Sequence, residues 1–194
     1  MGRPEKSAAG PVAPAVVPRL GRLRRVVAVG LGALVVAIAA QVSVPVPFSP
    51  VPMTLQPLAV LLVGGLLGGT AGLSALVSYL ALGALGFPVF AGGSSGAIHL
   101  IGLTGGYLLA FPAAAGLVGA IARPGSGAAR ILGACALGMV VIHLGGVAQL
   151  ALLGGDPALA FAVGVVPFLA GDLLKVGIAA AVILGAGPKI RPLL

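Results

Sequence analysis

Hydrophobic residues occur in long runs from Val26 to the C-terminus, and polar or helix-breaking residues gather in short stretches between the runs. A run of roughly 17–25 apolar residues is long enough to cross the hydrocarbon core of a bilayer as an α-helix. The runs lack the alternation of apolar and polar residues that strands of a membrane barrel show. The pattern predicts an all-α polytopic membrane protein with six spans, at about Val26–Val44, Thr54–Gly68, Thr70–Phe87, Leu103–Ala122, Ile131–Leu153 and Ala158–Ala186.

The two ends of the chain and the second span have a different character. Residues 1–25 are rich in proline and basic residues, which predicts a disordered tail before a membrane domain at residues 26–187. Residues 188–194 are predicted to form a second short tail. The second run is short and contains Pro57, so we expect a tilted or irregular helix there.

The composition excludes an ordinary soluble domain. Of 194 residues, 59% are hydrophobic and only 7% are charged, whereas soluble domains carry about 25% charged residues. The 33 glycines lie mostly inside the runs and predict close packing between helices in lipid. The single cysteine, Cys135, excludes an intramolecular disulfide and is expected to be a small buried residue.

The net charge of +8 does not indicate a nucleic-acid partner, because the basic residues flank the predicted spans. With the basic N-terminus in the cytoplasm, every Lys or Arg outside a span falls on the cytoplasmic side. This predicts cytoplasmic termini and a multi-pass protein in contact with lipid, in what we expect to be a bacterial plasma membrane. An alternative is a signal peptide cleaved after Ala39, since the preceding residues fit a small-residue cleavage site.

Asp172 and Lys175 are two charges inside the last hydrophobic run. An ionisable residue at membrane depth costs at least about 2.5–3.5 kcal/mol on insertion scales and usually marks a pathway or a ligand site. Three residues apart on a helix, the two side chains share a face and can neutralise each other. Two hypotheses follow: a binding site for a small molecule with an acid group and N–H donors, or a structural ion pair between helices.

The predicted external loop Pro88–Gly102 supplies further candidate binding residues. Its glycines permit close approach of the backbone to a ligand, and a long ordered loop there would form a lid. The alternative is an unstructured connector. Candidate binding residues in or near this loop, with one at the external end of the second span, are Gly93, Ser94, Thr104, Gly105, Gly106, Tyr107 and Gln56.

Two histidines are open to other interpretations. His143, inside the fifth run, is expected to be a buried hydrogen-bonding residue, since no carboxylate or second histidine lies at metal-ligand spacing. His99 is expected at the membrane interface. Residues Gly92–Gly96 satisfy the G-x-S-x-G pattern, so a rhomboid-like intramembrane serine protease with His143 as base is a competing hypothesis. The sequence carries no motif for a cofactor or a metal.

Four successive motifs resemble those of the BioY family, the biotin-specific capture subunits of energy-coupling-factor (ECF) vitamin transporters. They are VPMTLQPLAVLLVGGLLG, YLALGALGFPVFAGG, GLTGGYLLAF and FLAGDLLK, and they cover about residues 44–182. The resemblance implies six helices, no enzyme activity and biotin bound near the external face, under the loop between the third and fourth spans. It further implies that biotin contacts Asp172, Lys175 and Ser94, while Thr104–Tyr107 line the pocket. Capture of another small vitamin is an alternative.

The resemblance also implies partners and shows departures. Family members work with a transmembrane coupling subunit and two ATPase subunits, and this chain lacks the phosphate-binding loop that ATP hydrolysis would need. Ala33 and Ala37 form a small-xxx-small pattern that is expected to contact the coupling subunit. Ala170 and Leu103 stand where relatives commonly have proline, and Ser94 stands where some have asparagine.

Overall fold

The computed structural model describes residues 17–193, most of which are helical. Two short strands, β1 (Ser43–Val44) and β2 (Met53–Thr54), pair antiparallel between the first two helices. The helices are α1 (Val17–Gln41), α2 (Gln56–Leu67), α3 (Gly69–Ala84), α4 (Ile98–Ile101), α5 (Gly105–Ile121), α6 (Ala128–Gly154), α7 (Pro157–Gly164) and α8 (Leu169–Ile190).

Three helical segments of the described chain are long and apolar enough to cross a membrane. They are Gly21–Gln41 in α1, the whole of α6, and the segment Pro157–Leu193 that contains α7 and α8. The helices α2, α3 and α5 are apolar but have only 12, 16 and 17 residues. At 1.5 Å per residue these three helices are about 18–26 Å long, shorter than the roughly 30 Å hydrocarbon core. The membrane character of the protein therefore rests on the three longer segments.

The helical region extends further toward both ends of the chain than the hydrophobic runs do. Helix α1 begins at Val17, so residues 17–25 are helical where a disordered tail was predicted. Residues 1–16 of that tail, and Leu194, lie outside the described residues. At the other end α8 continues through Pro188 to Ile190 and is followed by a 3-10 turn.

Arg191 fixes the C-terminal turn to the helix bundle. Its Nε and one Nη donate hydrogen bonds to the carbonyls of Gly65 and Gly119, each at 3.0 Å. Both carbonyls belong to the last turns of their helices, α2 and α5, where backbone acceptors lack partners within the helix. The guanidinium therefore caps two helices at once, which explains why the predicted tail packs against the bundle.

The predicted sixth span is two helices rather than one. Helix α7 ends at Gly164, a 3-10 turn occupies Val166–Phe168, and α8 begins at Leu169. Pro167 lies within the turn, and proline in a helix interior removes a hydrogen bond and clashes with the preceding turn. The run was predicted as continuous because its hydrophobicity is uninterrupted. The break gives α8 an N-terminus of its own next to Asp172.

Pro57 does not interrupt α2, so the irregular helix that was one form of the prediction is not observed. It lies in the first turn, where its missing N–H has no intrahelical partner to lose. The loop Pro88–Gly102 is ordered, which excludes the unstructured connector. It contains a 3-10 turn at Ala91–Gly93 and the short helix α4, and its Phe90 is buried in the core.

Two glutamines hold the ends of this loop. Gln41 Nε2 donates to the carbonyl of Phe90 at 3.3 Å, and Gln149 Nε2 donates to the carbonyls of Leu100 and Gly102. These hydrogen bonds fix the loop to α1 and α6. The loop thus has a defined position over the centre of the bundle.

Helix α5 packs against α2, α3 and α6. Its contact with α6 is close because glycines meet there: a Cβ added at Gly106 would lie 2.1 Å from the carbonyl oxygen of Gly145. The contact with α2 is equally close, since a Cβ at Gly64 would lie 2.3 Å from the carbonyl oxygen of Ala115. Small residues permit this backbone approach, as the glycine content predicted.

Helix α1 packs against α2 and α3 with an inward face that includes both predicted partner-contact residues. Ala33 is only 3% exposed and packs within this chain's own core, and Ala37 packs half-buried against the same core. A partner contact at Ala33 and Ala37 stays a prediction. Val36 on the same face is fully buried, so cleavage after Ala39 would remove a helix that the core includes. Cys135 is buried, as predicted.

Candidate functional site

Asp172 and Lys175 form an ion pair in the interior of the protein, together with a third side chain. Lys175 Nζ donates to Asp172 Oδ1 at 2.9 Å, and His143 Nε2 lies 2.8 Å from Asp172 Oδ2. Asp172 and Lys175 are only 5% and 7% exposed. Each carboxylate oxygen of Asp172 therefore has one protein partner, and each oxygen retains capacity for a further hydrogen bond.

The break before α8 explains how the chain can hold an ionised carboxylate here. Asp172 lies in the first turn of α8, where the N-terminal end of the helix carries a partial positive charge. Lys175 follows one turn later on the same face. The helix end, the ammonium group and the imidazole together offset part of the cost of removing the carboxylate from water.

His143 is the member of this cluster whose role the sequence did not indicate. It forms a hydrogen bond, as predicted, but its side chain is 15% exposed and only half-buried, and its partner lies 29 residues away on another helix. Sequence spacing could reveal a partner only on the same helix. The useful signal was that His143 and Asp172 are both rare polar residues within apolar runs.

Tyr107 links this cluster to the break between α7 and α8. Its hydroxyl donates to the carbonyl of Gly164 at 2.7 Å, which satisfies an acceptor at the end of α7. Its ring meets the His143 ring edge-on, with centroids 6.2 Å apart. The hydroxyl hydrogen of this candidate binding residue is therefore donated within the protein. The ring remains available as an apolar surface.

A second polar network connects Gln56 with the loop above the bundle. Gln56 is 4% exposed, and its Nε2 donates to the Tyr79 hydroxyl at 2.6 Å. That hydroxyl donates in turn to the carbonyl of Val89 at 3.1 Å, and the Tyr79 ring packs edge-on against Phe90. Thr54 donates to Gln56 Oε1 at 3.1 Å. This network fixes α2, α3 and the loop relative to one another.

A cavity of about 80 Å³ lies between the two networks. The cavity extends from the buried Asp172 and Lys175 toward the loop. Its polar lining comes from Thr54, Gln56, Ser94, His99, Thr104, His143, Asp172 and Lys175. Its apolar walls include Phe90, Tyr107, Leu108, Phe111, Met139, Ile142 and Phe168. A mostly apolar space with a few convergent polar groups is the usual form of a small-molecule site.

The predicted binding residues divide into two groups. Asp172, Lys175, Ser94, Thr104, Tyr107 and Gln56 all line this cavity. The three glycines among the predicted binding residues, Gly93, Gly105 and Gly106, do not line it. Gly105 and Gly106 are packing residues at the start of α5: a Cβ at Gly105 would lie 2.0 Å from the carbonyl oxygen of Leu100. Gly93 supplies the loop with a left-handed backbone conformation, at φ +73°.

Ser94 and His143 both line the cavity, as a serine protease would require, but each has another partner. The Ser94 hydroxyl donates to the carbonyl of Ala91 at 2.9 Å, and His143 Nε2 faces Asp172. A nucleophilic serine needs its base within about 2.6–3.2 Å. No hydrogen bond joins Ser94 to His143 within residues 17–193, so the geometry offers no support for a dyad.

The comparisons with known proteins agree on one family. The model of the BioY family matches residues 11–191 of this chain. A probable biotin transporter BioY of Pyrococcus horikoshii is 41% identical over 154 residues, which are 79% of this chain and 90% of that protein. A biotin transporter BioY of Thermotoga maritima is 36% identical over 162 residues, covering 84% of this chain and 95% of that protein.

A solved structure shares the fold. It is the S-component for biotin from an ECF-type ABC transporter, with a TM-score of 0.78 and 24% sequence identity. The likeness covers 84% of this chain and 89% of that one. At this identity the likeness establishes the fold, and the sequence matches establish the family.

Proposed function

This chain belongs to the BioY family, and we propose that it captures biotin in the cavity above Asp172 and Lys175 as the S-component of an ECF transporter. The chain is a transport component and not an enzyme, as its family implies. The observation that carries the site assignment is the buried, hydrogen-bonded Asp172–Lys175 pair at the end of an otherwise mostly apolar cavity. A structural ion pair would not need a cavity beside it.

The ureido group of biotin matches this pair. The group is uncharged, with two N–H donors on either side of a carbonyl acceptor. Asp172 can accept an N–H, and Lys175 has two N–H groups left after its bond to Asp172 and can donate one to the carbonyl. A neutral ligand group thereby meets a neutral pair of protein charges. No net charge is added at the most buried part of the site, which limits the desolvation cost.

The remainder of the cavity suits the rest of biotin. The aromatic and aliphatic walls, among them Phe111, Ile142 and Phe168, suit the sulfur-containing ring and the hydrocarbon chain. The carboxylate at the end of that chain would lie toward the loop, beside the hydroxyl groups of Ser94 and Thr104. An ionised group is less costly there than in the interior, because the loop residues are only half-buried.

Biotin binding requires the cavity to widen. A volume of about 80 Å³ is well below the roughly 300–1,000 Å³ of typical ligand pockets. The loop Pro88–Gly102 is the element best suited to move, because it covers the cavity and contributes Phe90, Ser94 and His99 to the lining. Movement of this loop away from the bundle would enlarge the cavity enough to admit the ligand.

The membrane arrangement that supports this function has six spans. In it α7 and α8 form one broken span, and the shorter helices α2, α3 and α5 cross by tilting little or by local thinning of the bilayer. Both termini would lie in the cytoplasm of a bacterial cell and the loop Pro88–Gly102 outside, because Arg123 and Arg130 then face the cytoplasm. Energy would come from a coupling subunit and two ATPase subunits.

The function is tested by biotin binding to the purified chain in detergent. We expect wild type to bind, and Lys175→Met and Asp172→Asn each to weaken binding roughly 10- to 150-fold, because a hydrogen bond involving a charged group contributes about 1.5–3 kcal/mol. If wild type binds another small vitamin but not biotin, the capture role stands with a different substrate. If neither variant weakens biotin binding, the site assignment is wrong.

Matched controls exist for both substitutions. Lys189→Met removes a lysine from the exposed end of the same helix. Asp156→Asn changes the aspartate that caps α7 while keeping a residue that caps helices equally well. Both controls should bind biotin like wild type.

A further inference from the structure

His143 has a nitrogen atom that the described part of the protein leaves without a partner. Its Nε2 contacts Asp172, but its Nδ1 is buried and has no hydrogen bond. An unsatisfied buried polar atom costs about 1–3 kcal/mol, and nearly all such atoms in native proteins have a partner. His143 also lines the cavity. The missing partner is therefore expected to be a group that enters the cavity.

The surroundings of His143 determine which kind of group Nδ1 can meet. The Asp172 carboxylate is held by Lys175 at 2.9 Å, so it accepts hydrogen bonds and Nε2 must carry a hydrogen. Asp172 and Lys175 already neutralise each other, and a protonated His143 would leave one positive charge uncompensated at membrane depth. The neutral imidazole avoids this cost. Its Nδ1 then has a lone pair and accepts a hydrogen bond.

The second space that His143 borders offers no donor. It is an apolar groove of about 350 Å³ between α6 and the α7–α8 segment. Within the described chain this groove is lined by apolar side chains apart from His143 itself and Asp172. Lipid chains or apolar side chains in such a groove have no N–H to give. A donor for Nδ1 must come from the side of the cavity.

We propose that His143 is a third ligand-binding residue, and that its Nδ1 accepts an N–H of the ureido group of biotin. This inference rests on the proposed function. Asp172 and His143 then present two acceptors and Lys175 one donor, which is the complement of two N–H groups and one carbonyl. Tyr107 supports the arrangement, because its ring packs edge-on against the imidazole and limits its rotation.

Two substitutions separate direct binding from a role exerted through Asp172. The side-chain amide of asparagine has an oxygen or nitrogen close to the position of Nδ1, and that of glutamine has one close to the position of Nε2. His143→Asn thus keeps an acceptor for the ligand and loses the contact with Asp172. His143→Gln keeps a donor for Asp172 and loses the acceptor. We expect His143→Gln to weaken biotin binding roughly tenfold or more and His143→Asn to weaken it less.

Biotin analogues identify the ligand group that His143 meets. Biotin methyl ester lacks the carboxylate, and the two N-methyl isomers each lack one ureido N–H. The loss caused by His143→Gln should persist with the methyl ester and disappear with one of the N-methyl isomers. If the loss disappears with the methyl ester, His143 meets the carboxylate and the proposal is wrong.

The possible outcomes separate this inference from the proposed function. Failure of wild type to bind biotin overturns the proposed function and the inference with it. If wild type binds biotin and His143→Gln binds it equally well, the inference alone is overturned. The same holds if wild type binds biotin and His143→Asn binds it more weakly than His143→Gln does. Each variant is accepted for comparison only if its Cys135 thiol stays as protected from a thiol reagent as in wild type, since that buried residue becomes reactive when the helices separate.

Discussion

Replacing Lys175 with methionine should destabilise the protein, although the Asp172–Lys175 pair itself contributes little stability. At 2.9 Å the attraction amounts to about 6 kcal/mol for an effective dielectric constant of about 20. Removing each ion from water costs several kcal/mol, so the two effects nearly cancel. The single substitution removes the attraction and leaves the cost of burying Asp172.

The size of the expected effect follows from what remains around Asp172. Breaking a buried pair by removing one partner costs about 3–5 kcal/mol in general. His143 still donates to Asp172 in this variant, so we expect Lys175→Met to lie near the lower end, about 3 kcal/mol. Asp172→Asn should also destabilise, because it leaves the ammonium group of Lys175 uncompensated. The double variant Asp172→Asn with Lys175→Met should recover most of the lost stability, since no charge remains buried.

The assay uses the chain's one cysteine. Cys135 is fully buried, so the fraction of protein labelled by a thiol reagent at increasing SDS in mixed micelles reports unfolding. Biotin binding is measured on the same samples. The double variant should be nearly as stable as wild type and unable to bind biotin, which would assign the pair to binding rather than to stability.

One result would refute this reasoning. If the double variant is as unstable as the sum of the two single variants, the charges stabilise the fold independently and the desolvation argument fails. The Lys189→Met control tests the methionine substitution itself, because Lys189 is exposed near the end of the same helix and should be replaceable without loss of stability.

Two further predictions concern the packing around the site. Gly146→Ala should weaken biotin binding and destabilise the protein by about 1–3 kcal/mol, because the new Cβ would lie 2.1 Å from the Tyr107 ring. Gly133→Ala is the control on the same helix and should be harmless, because a Cβ there would have no atom within 4 Å. Equal stability and binding of the two variants would contradict the packing argument. Arg191→Ala should lower stability by about 2 kcal/mol in the Cys135 labelling assay, because two helix-terminal carbonyls lose their hydrogen bonds. Arg191→Lys should cause a smaller loss. An unchanged SDS midpoint for Arg191→Ala would exclude the capping role.

The helix boundaries show where sequence patterns stop being informative. Hydrophobicity marks which residues avoid water, so it located the apolar segments well. It does not register a break inside an apolar run, and the interruption at Val166–Phe168 was therefore missed although Pro167 was visible. It also places a boundary wherever charges begin, which is why the helical residues 17–25 were predicted as a tail.

The site residues show the same limit in a different form. Asp172 and Lys175 were identifiable because charge is costly in lipid and because they lie one turn apart on one helix. His143 was missed as their partner because α6 and α8 meet only through tertiary packing. Gly105 and Gly106 were assigned to the cavity, yet they serve the contacts of α5 with α4 and α6.

The sequence by itself determined the membrane character of the protein, its family and the charged pair at its centre, because these depend on composition and on order along the chain. The tertiary structure decided which side chains meet around the cavity and which donors and acceptors remain free. It showed that the Tyr107 hydroxyl donates a hydrogen bond to the carbonyl of Gly164, while Nδ1 of His143 has no hydrogen-bond partner among the described residues. Hydrogen bonds between residues on different helices depend on how the helices are placed, and no local pattern encodes that placement.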